Sequence, residues 1–480
     1  MMYQVPKHID RNKIFIVKRS EIEGRLEPEF YKPSIAEIEH IIRKKSTKKL
    51  RDFALYIAGG ATPKKTEGDK YYSDKENGIP FLRVQNLCSD GTLLLDDCVY
   101  ITKETHEGML KRSQVEEGDL LVKITGVGRM AIASVVPDGF VGNTNQHMVV
   151  IKTGSSATSK YLARYLNLDI IEKIASRHST GGTRPALDYP SVKALPIIEG
   201  LDFSLIDSAI SEKRYKEAEA QRLLDSIDSY LLTELGITLP EIKTDLKSRM
   251  FLVNRSKLEG RFDPYYSQKH FVDAFSSLYL GKYPVSSLKS LSILITSGIT
   301  PKSGGNAYTE NKELGIPFIR SGNIDINGDL NFNELLYIKP EIHNTIMKSS
   351  QVKPNDLMIA IVGATIGQVG IYLDKREANI NQAIALVRLK DGNDTHYIKE
   401  VIKSSIGQLS LNRLKRPVAR ANINLEEIST ILVPLPPLVK QQEIANHIYT
   451  IRQRAKTLLE EGKAILENAK KEVEQKIIGK

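Results

Sequence analysis

GIPFIR, residues 315–320, echoes a phrase already written at 78–83 as GIPFLR, and its neighbours recur in the same order. VKRSEIEGRLEPEFY at 17–31 returns as VNRSKLEGRFDPYYS at 253–267, and Thr62-Pro63 returns as Thr300-Pro301. GDLLVKITG at 118–126 returns as NDLMIAIVG at 355–363, and NTNQHMVVIK at 143–152 as NINQAIALVR at 379–388. The offset is about 236 to 238 residues throughout, far too long for a solenoid, so the unit repeated is a whole domain together with the segment after it. One chain is therefore a pseudo-dimer, with two equivalent surfaces to offer a two-part ligand.

The 480 residues, 41% hydrophobic and 26% charged, suffice for two or more globular cores. No run of about 18 apolar residues occurs, and the start MMYQVPKHIDRNK lacks the apolar core of a secretory signal, so a cytoplasmic protein with no membrane partner is expected. Cys88 and Cys98 form no CxxC pair, which points away from a disulfide framework or a cysteine zinc site. Lys and Arg total 68 against 58 acidic residues, a net charge of +10 that permits nucleic acid as a partner.

Along the chain, Ser34 with Glu37 reads as a capping box opening a helix. From Leu50 to about Lys152, short β-rich runs alternate with Gly, Asn and Asp turns, which predicts a mostly antiparallel β domain. Helices are expected at about 158–176 and from about Ser204 to Leu235. The second carries a stripe of Ile206, Ile210, Ala218, Leu224, Ile227, Leu231 and Leu235, ended by Gly236. After a polar linker the plan repeats, with a β-rich stretch at about 284–390, a helix near Tyr397 to Gln408, and the basic loop LNRLKRPVARANIN. PLPPL at 434–438 precedes a last helix whose seam is Ile444, Ile448, Ile451, Ala455, Leu458, Gly462, Ile465 and Ala469. That spacing is heptad-like, and only Gly462 weakens it. Two amphipathic helices at equivalent places pair most economically stripe to stripe and antiparallel.

Taken in order and in duplicate, these residues resemble the specificity subunits of type I restriction-modification systems. The resemblance rests on GIPF(L/I)R, GDLLVKITGVGRMAIASV with NDLMIAIVGATIGQVGIYL, NQHMVV with NQAIALV, and ILVPLPPLVKQQEIA. It implies an α+β fold with a pseudo-two-fold internal repeat, in which two tandem β-rich target-recognition domains are separated by two long helices packed as an antiparallel coiled coil. The domains would be 1–200 and 250–435, the helices 201–237 and 436–480, and the linker 238–249. It further implies that each repeat reads half of a bipartite double-stranded DNA site while the helices set the spacing and dock two methylation (M) subunits, with restriction (R) subunits as further partners. No cofactor is expected in this chain; S-adenosylmethionine, ATP and magnesium are expected on the partner subunits.

The alternative is a self-contained DNA methyltransferase or nuclease with diverged motifs. A base-flipping methyltransferase phrase such as (N/D)PP(Y/F) is missing, since the consecutive prolines lie in LPPL. GVG at 126–128 lacks the third glycine of a dinucleotide fingerprint and reads as a tight β-turn, and no Walker A loop occurs. PEIK at 240–243 lies in the linker with no supporting strand pattern. No catalytic or metal-binding residue is expected.

Reading DNA takes Lys and Arg on phosphates, and Arg, Asn or Gln on base edges. The candidates are Lys64, Lys65, Arg83, Gln85, Asn86, Arg129 and Arg184 in the first repeat. In the second they are Lys302, Arg320, Asn323, Arg413, Lys415, Arg416 and Arg420, with KRPVAR at 415–420 the leading cluster. Arg83 and Arg320 suit a phosphate contact or a structural ion pair equally. Asn145-Gln146 and Asn381-Gln382 suit turn backbone as well as DNA.

Overall fold

The apolar runs LLVK and MVVIK are neighbouring antiparallel strands, Leu120–Lys123 and Met148–Lys152, in the centre of a four-stranded sheet with Tyr56–Gly59 and Ala133–Val135 at its edges. Leu120, Val122, Val149 and Ile151 point into a core shared with helices, while Leu121, Met148 and Val150 point into a second core with Leu82 and Val115. Both faces are covered, which is why these runs are continuously apolar and not alternating. The computed structural model describes all residues except 1–5, 7, 23, 182, 242–249, 255–260, 262, 303–304, 417–420 and 480. Most of the linker read at 238–249, part of PEIK, and RSKLEG of the second opening phrase thus lie outside the described residues. The chain forms two units, Met1–Ala218 with Leu458–Lys480, and Glu219–Thr457.

GIPFLR supplies the central strand of the first unit's other sheet. Ile79–Leu82 pairs antiparallel with Val99–Ile101 and parallel with Gly142–Thr144, which in turn pairs with Gln114–Val115. Pro80 cannot donate to a ladder, and the parallel pairing begins just after it, at Phe81 opposite Asn143. The second unit repeats both sheets. Ser292–Ser297, Ile384–Leu389, Leu357–Ala360 and Val369–Ile371 form one, and Leu336–Ile338, Ile316–Ile319, Ala378–Ile380 and Gln351–Val352 the other. Phe318 stands opposite Asn379, the same register as in the first unit.

Three helix readings need correction. The first helix is Pro33–Lys45, with proline in its first turn and no side-chain cap, so Ser34 lies inside it and no Ser34–Glu37 box forms. The helix expected over 158–176 is two, Ser156–Leu166 and Asp169–His178. Asn167 interrupts it because its side-chain amide bonds both the N–H (3.1 Å) and the C=O (2.7 Å) of Ala133, extending the sheet. The helix expected near 397–408 is likewise Thr395–Lys403 and Ser405–Leu414.

The long helices run Ser204–Leu235 and Leu438–Ile478, the first ending at Gly236 with φ 65°. In the first unit Ile206, Ala209 and Ile210 share a core with Leu466, Ala469, Val473 and Ile477, with Ile465 packed against it. In the second, Ile227, Leu231 and Leu235 share one with Ile444, Ala445 and Ile448, flanked by Leu224 and Ile451. Ala455 and Leu458 are buried as well. Ala218 is exposed, and Ala220 takes the buried place, because the stripe steps through half-buried Lys213 and Lys216. Within the second unit, Tyr230 stacks on His447 (4.2 Å) and Glu234 pairs with Lys440 (2.9 Å), so those two stretches run in opposite directions.

Gly462 is a close-approach position and not a weak point of the seam. A Cβ there would lie 3.3 Å from the Lys213 Cα, backbone against backbone. Gly462→Leu is expected to destabilise the first unit by about 1–3 kcal/mol, the range for an overpacked contact. Urea unfolding checks it, and an unchanged midpoint would contradict the close approach.

Each long helix also supplies an acidic cap. Glu474 accepts from the amides of Asp169 and Ile170 (3.2 Å for the latter) at the start of Asp169–His178. Asp228 accepts from the Ser405 amide (2.7 Å) and hydroxyl (2.7 Å) at the start of Ser405–Leu414. Carboxylates at helix N-termini satisfy orphan amides and oppose the macrodipole, so in both units the repeated helix is fastened to a long one.

Candidate nucleic-acid interface

The repeated phrase Asn-x-Asn-Gln divides its work residue by residue. Its first amide is buried: Asn143 bonds the His106 ring (2.5 Å) and the Leu110 carbonyl (2.9 Å), and Asn379 bonds the His343 ring (2.5 Å) and the Met347 carbonyl (2.8 Å). The second turns the chain, with Asn145 Oδ1 accepting from the His147 amide (3.1 Å) and Asn381 Oδ1 from the Ala383 amide (3.2 Å). Only the glutamines, Gln146 and Gln382, stand exposed.

A second loop closes on each glutamine. The Thr62 hydroxyl donates to Gln146 Oε1, and Thr300 Oγ1 accepts from the Gln382 amide (3.4 Å). Tyr72 fixes this loop by donating to the Pro63 carbonyl (2.9 Å), as Tyr308 does to that of Pro301 (3.0 Å). The Asn145 amide donates to the Leu82 carbonyl (3.1 Å) and the Asn381 amide to that of Ile319 (2.9 Å), which sets Arg83 and Arg320 beside the same turn, and burial raises the pKa of both phenols against the opposing charge of those arginines. Lys64 and Lys302 are exposed on it. The close fit requires Gly60 and Gly298, where a Cβ would lie 2.0 Å from the Thr144 carbonyl oxygen and 1.8 Å from that of Ile380.

A third loop joins through backbone bonds. Ile124 donates to His147 (2.9 Å), Leu187 to Ile124 (2.8 Å), and Gly126 to Pro185 (3.1 Å). In the second unit Ile361 donates to Ala383 (2.9 Å), Ile423 to Ile361 (3.0 Å), and Gly363 to Ala421 (3.1 Å). Arg184 corresponds in the sequence to Arg420, which lies outside the described residues. Arg184 is exposed, and burial and then its charge lower the pKa of His147. GVG at 126–128 is a bend with positive φ at both glycines, held by Lys123 Nζ on the Val127 carbonyl (2.8 Å). Thus Thr62, Lys64, Arg83, Gln146 and Arg184 lie along one edge of the first unit. Thr300, Lys302, Arg320 and Gln382 lie along that of the second.

The opening phrase, read in the sequence only as a mark of duplication, holds this third loop. Arg25 donates to the His178 (3.3 Å) and Ser179 (2.8 Å) carbonyls, and Arg261 to those of Leu414 (3.0 Å) and Lys415 (3.5 Å), where the loop leaves its helix. Phe30 lies between Arg25 and Arg177 (4.8 and 4.4 Å), and Tyr266 between Arg261 and Arg413 (4.6 and 3.9 Å). Such cation–π sandwiches are worth about 0.5–2 kcal/mol per contact. Arg25→Ala and Arg261→Ala are each expected to lower the stability of their own unit by about 1–3 kcal/mol, since the helix-end carbonyls lose charged donors. Chemical denaturation reads this, and no loss in either variant would contradict the role.

Several candidates are placed elsewhere. Asn86 and Asn323 are buried, each accepting from the amide three residues back (2.8 and 2.9 Å) and donating to a carbonyl, so neither reaches a base edge. Arg129 turns inward to Asp169 and the Asn167 carbonyl (2.5 Å). Arg413 is spent in the Tyr266 sandwich, also covering Phe275 (4.6 Å). Gln85 is exposed and donates to Asp97 (3.0 Å), which also pairs with Arg83 (3.5 Å). In the KRPVAR cluster, Arg416 is exposed and pairs with Glu427 (3.2 Å), while half-buried Lys415 has its pKa lowered by burial; residues 417–420 lie outside the described residues. Lys65 begins a short helical turn after Lys64. Among the described residues no cluster of three or more His, Cys, Asp or Glu could hold a metal, and no helix is long and apolar enough to cross a membrane.

Residues 282–468 match the model of the type I restriction modification DNA specificity domain. The specificity subunit of type I restriction enzyme EcoBI from Escherichia coli is 32% identical over 137 residues, 28% of either chain. That of type I restriction enzyme EcoKI from Escherichia coli K12 is 25% identical over 171 residues, 35% of either chain. The chain thus spans 28% and 35% of the length of these curated relatives. The crystal structure of the HsdS subunit from Thermoanaerobacter tengcongensis is aligned over 90% of this chain and 95% of that one, at 16% identity and a TM-score of 0.35. Residues 282–468 thus carry a type I restriction modification DNA specificity domain, and the chain is similar over part of its length to the specificity subunits of type I restriction enzymes.

Proposed function

We propose that this chain is the noncatalytic subunit that recognises DNA sequence for a type I restriction-modification complex in the cytoplasm. Each repeat, over 1–200 and 250–435, acts as a target-recognition domain and reads one half of a bipartite duplex site. The helices within 201–237 and 436–480 pair as an antiparallel coiled coil around a pseudo-two-fold axis. They set the spacing between half-sites at roughly one helical turn, about 34 Å, and dock two methylation subunits, to which restriction subunits add. S-adenosylmethionine, ATP and magnesium belong to those partners.

The observation that carries this reading is the recurrence, in both units, of one edge lined by a threonine, a lysine, an arginine and a glutamine, on loops held by the same tyrosine-to-proline bond and by a threonine–glutamine contact. Phosphates need such cations and amides, and two copies suit two half-sites. The test adds labelled S-adenosylmethionine and genomic DNA to the purified chain, with and without a methylation subunit from the same operon. Methyl transfer is expected only in the mixture, and transfer by the chain alone would establish the self-contained methyltransferase instead.

A further inference from the structure

Comparing the edges of the two repeats separates residues that coincide from residues that differ. Thr62 and Thr300, Lys64 and Lys302, Arg83 and Arg320, and Gln146 and Gln382 coincide. At the same edge Gln85 is replaced by Gly322, Val127 by Ala364 and His147 by Ala383. The distinction is not one of burial: Gln85 and Val127 are as exposed as the coinciding residues, and His147 is half-buried.

Two half-sites of unlike sequence share a phosphate backbone and differ in their bases. A residue that is identical in both repeats, on a loop fixed by the same tyrosine-to-proline bond, is suited to what both halves present. We propose that Thr62, Lys64, Arg83 and Gln146, with their counterparts in the second repeat, grip the DNA backbone, and that Gln85, Val127 and His147 read bases of the first half-site. This rests on the DNA-recognition reading above. The chemistry is apt on both sides. Lysine and arginine neutralise phosphates, and Gln146, with Oε1 occupied by the Thr62 hydroxyl, has its Nε2 donors left for a phosphate oxygen. Gln85, Val127 and His147 offer an amide, an apolar branch and a ring nitrogen, the kinds of group that distinguish base edges and the thymine methyl. Their positions are also connected, since His147 and the 126–128 bend meet through Ile124 and Pro185.

The experiment uses the full chain with its methylation subunit and two probes, a random-sequence 40-base-pair duplex and a duplex selected from a random library. Lys64→Ala with Lys302→Ala is expected to weaken both probes by the same factor, about tenfold or more, and to reduce the slope of log affinity against log salt by roughly 2. The triple variant Gln85→Gly, Val127→Ala, His147→Ala should leave the random duplex and the salt slope unchanged. It should weaken the selected duplex about tenfold and, on reselection, alter only one half of the motif. Each residue it introduces already occupies the equivalent place in the second repeat, so the fold is retained, and thermal unfolding verifies this. The proposal is overturned if the lysine variant changes the preferred sequence at an unchanged salt slope, or if the triple variant keeps the parental motif. A wild-type complex that binds neither probe would remove the DNA-recognition reading itself, a distinguishable result.

Discussion

Glu39→Ala is expected to cost the first unit about 3–5 kcal/mol, the range for a buried ion pair stripped of one partner. Glu39 is buried and accepts from Arg43 (2.6 Å), Arg177 (2.6 Å) and the His178 ring (3.0 Å). Removing the carboxylate leaves Arg177 inside the fold without its counter-charge while it still stacks on Phe30. Burial alone would raise the carboxyl pKa, but His178 and then Arg43 outweigh it and pull it down to about 2. Because that pKa is lower folded than unfolded, the contribution is complete above pH about 4.5 and shrinks as the pH falls toward about 2. The shift is worth about 3 kcal/mol. The second repeat carries Phe275 at this place, covered by Arg413. Acid should therefore loosen the first unit before the second, and Glu39→Ala should abolish the difference. Hydrogen exchange at about pH 7 and about pH 3, on either side of the carboxylate range, reads both units together. Identical acid sensitivity of wild type and variant would contradict the assignment.

Gly298→Ala, and its counterpart Gly60→Ala, should dislodge the loop that carries Lys302 or Lys64. In each case the new Cβ would sit 1.8 or 2.0 Å from a backbone carbonyl oxygen, Ile380 or Thr144, and no rotamer change relieves such a contact. Overpacking costs about 1–3 kcal/mol where side chains can adjust, and a clash between two backbones lies at or beyond the top of that range. The loop must then part from the Asn-Gln turn, breaking the contact of Thr300 with Gln382 or of Thr62 with Gln146. Each variant should lose DNA affinity through its own half-site while the sheet cores persist. Urea unfolding together with duplex binding checks this, and wild-type binding by both variants would show that the loops need no such fit.

The internal repeat was legible in GIPF(L/I)R because a strand buried on both faces tolerates few residues, so duplicated copies stay alike. The burial of Ile206, Ile227, Leu231, Ile444 and Leu458 is set by a period the eye can find. Ala218 misled because stepping through Lys213 and Lys216 requires the aliphatic stems of charged residues to cover the seam, which composition hides. What the sequence could not reveal depends on contacts distant in the chain. Asn86 looks like Gln85 until the Leu94 carbonyl and the Arg83 amide claim its side chain. Arg413 looks like a DNA cation until Tyr266 and Phe275 cover it. The helix broken at Asn167 reads as continuous because local propensity says nothing of an amide completing a sheet edge, and the one broken at Ser404 because it says nothing of Asp228 capping the next helix. A signal for Arg25 and Arg261 was present, since the EGR phrase recurs with an aromatic residue five positions on, but its purpose appears only beside the helix ends it holds.

The central claim, that this chain supplies the DNA sequence preference of a methylating complex through two half-sites, is tested most directly by methylation mapping with long-read sequencing in cells with and without the gene. One bipartite motif with a spacer of constant length is expected, present with the gene and lost on its deletion. Deletion that leaves every methylated motif intact, or a gene-dependent motif that is continuous and undivided, would contradict it.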